Sequence, residues 1–205
     1  FGLLTRLGVE VIDLGVVPDQ PAQLEAAFRE AGARADAVIT SGGVSVGEAD
    51  HTRTMMKQLG DVAFWRIAMR PGRPMAVGRL AAAAPTASGA VLFGLPGNPV
   101  AVMVTFLAFV RPALLRMMGS SAGVQPLLRA VSTEPIRKKA GRTEYQRGWV
   151  STAPDGTLQV RTTGNQGSGV LSSMAQANGL IVLHHGQGHV AAGDTVDVMM
   201  FDGAV

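Results

Sequence analysis

Cysteine is absent from this sequence. Its absence excludes disulfides, thiolate metal sites and a cysteine nucleophile, and it suits a reducing cytoplasm. Aromatic residues are scarce, at 5% with a single Tyr. Nucleic-acid binding through basic stretches interleaved with aromatics is therefore not expected, although the sequence pI is near 9.9. No run of about eighteen or more consecutive apolar residues occurs, so no membrane span is expected. The opening FGLLTRLGVEVIDLG has no small-residue cleavage site and does not read as a signal peptide. What remains is 205 residues, 47% hydrophobic and 16% charged, with a formal net charge of +3. That is enough for one large domain or two small ones, and scattered arginines suit small anions. Beginning at Phe1 rather than Met, the chain is expected to be a piece of a longer protein, cut from its N-terminal side.

The hydropathy pattern alternates strand and helix. VEVIDLGVV (9–17) predicts a strand ending near Gly15. A helix follows, with Asp19 as N-cap candidate, Pro21 in the first turn and Leu24, Ala27, Phe28 and Ala31 on one face. DAVIT (36–40) predicts a buried strand, HTRTMMKQLG (51–60) a helix stopped by Gly60, and 61–80 a strand broken by RPGRP. AVLFGLP (90–96) predicts another strand. Residues 97–119 predict an apolar helix with a kink at Pro112. This order predicts an α/β three-layer domain with a mostly parallel sheet over 1–119. A linker over 120–126 follows, then short Thr-, Val- and Gly-rich strands over 127–205 that predict a small all-β domain, barrel-like or a compact sandwich. GSGVLSSMAQAN (167–178) is the one helix candidate within it. The ten methionines are expected to fill the core on helices 51–59 and 97–118. His184, His185 and His189 are irregularly spaced and read as a solvated hairpin rather than a metal cluster. His51 reads as a solvent-facing residue at a helix start.

SGGVSVGEAD (41–50) follows a strand directly. Such a bare turn allows backbone N–H groups to converge on an anion, and the next helix adds its positive end. It matches neither GxGxxG nor a P-loop, so a plain strand-to-helix connection with Asp50 as cap stands beside the ligand reading. RPGRP (70–74) sets Arg70 and Arg73 on a stiff turn suited to an oxyanion, or on a solvated strand edge. GLPGNP (94–99) is a second glycine–proline turn after a strand. Strand-end loops converge on one face in open α/β sheets. Asp19, Glu48 and Asp50 then supply oxygen ligands, which favours magnesium over zinc.

SGGVSVGEAD, RPGRPMAVG, GLPGNPVAVMVTF, GRTEYQRG and GSGVLSSMAQANGLIVL occur in fixed order over essentially the whole chain. Together they resemble the molybdopterin molybdenumtransferase family, which includes MoeA and the gephyrin E-domain. The resemblance implies insertion of molybdate into adenylylated molybdopterin with release of AMP. It implies that Ser41, Gly42, Gly43, Ser45, Gly47 and Glu48 accept the pterin or its phosphate. Gly94, Pro96, Gly97, Asn98 and Pro99 would shape the neighbouring loop. Asp50 and Asp19 match the family's acidic positions and would act in catalysis and hold Mg2+. Arg66, Arg70, Arg73, Arg147 and Ser168 would bind molybdate, or tungstate of the same shape and charge. A homodimer and a molybdopterin adenylyltransferase partner are implied too. The family commonly has lysines in the basic turn where this chain has arginines; charge is kept, but a point charge becomes a planar fork. An adenylyltransferase-like enzyme and a non-catalytic scaffold of the gephyrin type remain as alternatives. The β domain and the long apolar helix after GLPGNP argue against the first; the low aromatic content argues against the second.

Overall fold

The computed structural model describes residues 1–44, 51–81, 89–121 and 125–201. Its contacts divide the chain into two compact units, Phe1–Ile67 with Gly72–Asn98, and Ala68–Pro71 with Pro99–Val205.

In the first unit, a short helix α1 (Gly2–Arg6) precedes an irregular stretch and helix α2 (Pro21–Arg34). Then come strand β1 (Ala37–Ser41), helix α3 (His51–Leu59), and strands β2 (Gly60–Arg66), β4 (Pro74–Leu80) and β5 (Val91–Leu95). The sheet order is β1-β5-β4-β2. β1 and β5 are parallel, while β4 runs antiparallel to both β5 and β2. The expected parallel character is thus confined to the β1/β5 pair, because residues 60–80 form a hairpin rather than one broken strand. Leu24 and Phe28 on α2, Met55 and Met56 on α3, and Val38, Val62, Ala76 and Leu92 on the sheet form one apolar cluster, with Ala31 packed against it.

Three local expectations differ. Val9–Val17 forms no strand; none of the described strands pairs with it, Gly15 sits at φ 66°, and the Gly15 N–H closes a short loop onto Asp13 at 2.8 Å. The α2 N-cap is Gln20, with Pro21 in the first turn; Asp19 lies one residue further out. Gly60 does not stop α3 by a left-handed turn but opens β2, where a Cβ would stand 2.2 Å from the Arg79 carbonyl oxygen. It is there for the close approach of β2 and β4.

The second unit begins with the two-residue strand β3 (Met69–Arg70). Helix α4 (Pro99–Thr105) then continues through a π-helical turn (Phe106–Val110) into α5 (Arg111–Met117). Pro112 lacks the N–H that would bond the carbonyl of residue 108, and its ring would crowd it. The wider π turn just before it relieves that conflict. The segment Pro99–Met117 is long and apolar enough to cross a bilayer by length and composition. Val100, Val104, Thr105 and Val110 are nevertheless fully buried, as in a core helix. Arg111, 7% exposed, reaches Gln125 at 3.5 Å, and Gln125 in turn donates to the Met200 carbonyl at 2.7 Å. Met55 and Met56 are core residues as expected, but Met117 and Met118 are exposed.

Strands β6 (Leu128–Ser132), β7 (Thr143–Thr152), β8 (Leu158–Thr162), β9 (Gly179–Leu183) and β10 (Thr195–Met200) follow, with a short helix α6 (Ser172–Ala175) before β9. Their order β7-β8-β6-β10-β9 closes through β7–β9 pairing. The result is a five-stranded barrel, to which β3 adds alongside β7. Closure removes the open edges that a sandwich would keep. Val160, Ile181, Leu183, Val196 and Val198 fill its interior.

Candidate anion-binding site

A cavity of about 450 Å³ opens in the barrel unit. Among the described residues six cationic side chains line it: Arg70, Arg137, Lys138, Lys139, Arg142 and Arg147. Among the described residues Glu144 is the one carboxylate in the lining, and Arg142 pairs with it at 2.8 Å.

Arg147, on β7, is 1% exposed. Its Nε donates to Ser173 Oγ at 2.9 Å, and its Nη2 donates to the carbonyls of Gly167 (3.0 Å) and Asn165 (3.3 Å). Gln166 clamps the Arg147 backbone by accepting from its N–H at 2.7 Å and donating to its carbonyl at 3.1 Å. The segment 165–173 thus wraps one guanidinium and fixes its plane. No carboxylate among the described residues bonds it, and its Nη1 has no partner there. Burial, and secondarily the charge of Arg70, lower the Arg147 pKa from arginine's ordinary value. An anion placed in the cavity would offset both effects at once.

Arg70 is exposed on β3 and lines the cavity. Arg66 ends β2 opposite Pro74, and Arg73 follows the turn; both belong to the α/β unit. Ser168 is exposed; the serine that meets Arg147 is Ser173, 2% exposed. Sequence reading passed over Ser173 because Ser168, Ser172 and Ser173 stand in one short segment and spacing does not choose among them. It also passed over Lys138, one of several charges in IRKKAGR.

Tyr145 neighbours Arg147 on β7 and lines the same cavity. Burial raises its phenol pKa above the ordinary value. It is the chain's one tyrosine, so absorbance at the phenolate band reads it alone. The folded protein is expected to titrate above about 10, and the denatured chain near 10. The native state then holds the proton more tightly. This contribution to stability is complete below the unfolded pKa and declines as pH rises above it. Coincident folded and denatured curves would remove the burial.

In the α/β unit, the loops after the parallel strands β1 and β5 meet. Gly42 N–H donates to the Leu95 carbonyl at 3.0 Å, and Ser41 Oγ lies 3.4 Å from the Pro96 carbonyl. A Cβ on Gly97 would stand 3.7 Å from Gly42 Cα. Gly42 and Gly43 have φ of 98° and 67°, and a Cβ on Gly43 would stand 2.3 Å from Thr52 Cγ2 at the start of α3. The positive φ favours glycine at both positions, and the closeness to the helix requires it at Gly43. Thr52 Oγ1 lies 3.5 Å from Asp19 Oδ1, which brings Asp19 to the same corner. The Thr40 hydroxyl, one residue before the loop, is buried with no partner among the described residues; a buried hydroxyl of this kind is costly unless a polar group meets it. Asn98 and Pro99 continue the second loop into α4. Ser45, Gly47, Glu48 and Asp50 lie outside the described residues. Among the described residues no group of three or more His, Asp or Glu is placed to hold a metal.

A mixed α/β sheet with paired glycine loops at its strand ends, followed by a closed five-stranded barrel with a cationic cavity, defines a two-part protein of α/β-plus-barrel build. Residues 1–116 match the family described as "Probable molybdopterin binding domain", and residues 129–201 match the "MoeA C-terminal region (domain IV)". The chain belongs to the molybdopterin molybdenumtransferase family of MoeA and gephyrin. It is 42% identical over 201 residues to a molybdopterin molybdenumtransferase of Haemophilus influenzae, covering 98% of this chain and 48% of that relative. A relative of the same name from Nostoc is 36% identical, covering 96% and 45%. The chain thus spans about half the length of these curated relatives. A MoeA protein of known structure from Pyrococcus horikosii superposes with a TM-score of 0.75 at 27% identity, covering 98% of this chain and 46% of that one. A molybdenum cofactor biosynthesis protein from Pyrococcus furiosus gives 0.72 at 28% identity, covering 98% and 62%.

Proposed function

We propose that the chain acts in molybdenum cofactor biosynthesis, inserting molybdate into adenylylated molybdopterin with release of AMP. The observation that carries this is the buried, carboxylate-free Arg147, held in a fixed plane at a cationic cavity. Molybdate, a tetrahedral dianion, meets the free Nη1 edge of Arg147 and the Arg70 guanidinium. Ser173 and the carbonyls of Asn165 and Gly167 hold that edge in place, so little reorganisation is left to binding. Ser41, Gly42 and Gly43 offer backbone beside the start of α3 to the phosphate of the pterin substrate, with Gly94–Asn98 as the neighbouring wall.

Mg2+ belongs to this reading. The Asp19 carboxylate is exposed and, among the described residues, is bonded only by one long contact to Thr52, so it suits the kind of oxygen donor that magnesium takes alongside substrate phosphates. Asp50 is the second donor proposed. When bound, the ion supplies positive charge at the substrate's pyrophosphate. Asp19 and Asp50 orient that group and the water around it. A homodimer, a molybdopterin adenylyltransferase that hands over the substrate, and a cytoplasmic setting complete the proposal; the cysteine-free composition supports the last.

The test is calorimetric titration of adenylylated molybdopterin with magnesium into the chain. Saturable binding is expected, weakened about tenfold or more by Asp50→Ala. Affinity unchanged by that substitution would remove Asp50 from the site.

A further inference from the structure

We propose that the barrel cavity is a two-anion site, in which the end built around Lys138 takes a phosphate group while the Arg147 end takes the small oxyanion. This deepens the reading above and rests on it for the identity of the first anion.

Lys138 is 3% exposed and lines the cavity. Its Nζ donates to the carbonyls of Gln187 at 2.7 Å and Lys139 at 3.2 Å. Its third hydrogen has no partner among the described residues, and no carboxylate there compensates its charge. Glu144 is taken by Arg142 and Gln146, and Glu134 by Thr162. Burying an ammonium on two carbonyls alone is costly, so the arrangement is completed by an anion. The His189 Nδ1 accepts from the Lys138 backbone N–H at 3.1 Å. In the neutral ring this places the proton on Nε2, making that nitrogen a donor at the same rim. Arg137 and Lys139 are exposed and add charge to the lining.

The two buried cations have separate frames. Arg147 is fixed by residues 165–173, Lys138 by residues 139, 187 and 189, and no residue serves both. A cavity of about 450 Å³ is of small-molecule size and has room for more than one tetrahedral ion. Lysine acts as a point charge that suits a phosphate from any side, whereas the fixed arginine fork selects by plane. A phosphate ester of the substrate and free inorganic phosphate share this chemistry.

The experiment is calorimetric titration of the chain with molybdate, inorganic phosphate and AMP, each alone and each with another at saturation. AMP or phosphate is expected to bind with molybdate already bound. Lys138→Met, and separately Arg137→Ala/Lys139→Ala on the exposed rim, should weaken phosphate and AMP at least tenfold and leave molybdate within about threefold. Arg147→Met should do the reverse. AMP tighter than phosphate assigns the subsite to the ester, and equal affinities assign it to the phosphate group alone; both support a second subsite. Strict competition between molybdate and phosphate overturns it, as does phosphate binding unchanged in the rim variant, which keeps its core intact if Lys138→Met does not fold. Phosphate binding that depends on Lys138 with no molybdate binding at all would sink the molybdate placement while leaving this subsite standing.

Discussion

Arg147→Met is expected to lower molybdate affinity by about 100-fold or more, on the order of the 3 kcal/mol lost when one partner of a buried, hydrogen-bonded charge pair is removed. The same change removes the donor to Ser173 Oγ and to the carbonyls of Asn165 and Gly167. Unfolding free energy should therefore fall as well, by roughly 2–3 kcal/mol. Arg147→Lys separates the two roles. It keeps the charge but not the fork, so it should retain weak molybdate binding while still losing most of the clamp. Molybdate calorimetry and urea unfolding of both variants check this. Full molybdate affinity in Arg147→Met would mean that the guanidinium only pins the segment 165–173.

The second large effect lies in the α/β unit. Gly78→Ala is expected to destabilise it by about 3 kcal/mol, because the added Cβ would stand 2.1 Å from the Asp61 carbonyl oxygen and 2.6 Å from Val62 Cα. Both are backbone atoms of the paired strand β2, so no rotamer change relieves the contact and the hairpin must open. Gly2→Ala, with nothing within 4 Å of the new Cβ, serves as the control and should change stability by less than about 0.5 kcal/mol. Urea midpoints by circular dichroism decide it. Equal midpoints would show that β2 and β4 yield without cost.

Periodicity carried much of the fold. The face of α2 was legible because Leu24, Phe28 and Ala31 recur at helical spacing, and all five barrel strands were legible as short Thr/Val runs between turns. The hairpin β2–β4 was not, because RPGRP looks like a break within one strand. In the structure the chain instead lends Met69–Arg70 to β7 and returns at Pro74. Strand sense is decided by such tertiary pairings, which a local pattern does not encode. Val9–Val17 alternates well enough for a strand, yet alternation without a neighbouring ladder leaves it irregular. At the site, Arg147 and the glycine loop stood out through motif order. Lys138 and Ser173 did not, because burial distinguishes them from adjacent residues of the same type, and burial is set by the closed barrel rather than by spacing.

The barrel cavity is proposed to hold molybdate on Arg147. Molybdenum scatters anomalously, so crystals of the chain grown with molybdate and measured above and below the molybdenum edge locate it directly. A difference peak within hydrogen-bond reach of Arg147 Nη1 and the Arg70 guanidinium is the predicted result. A peak at the Ser41–Gly43 loop, with none in the barrel cavity, would contradict it.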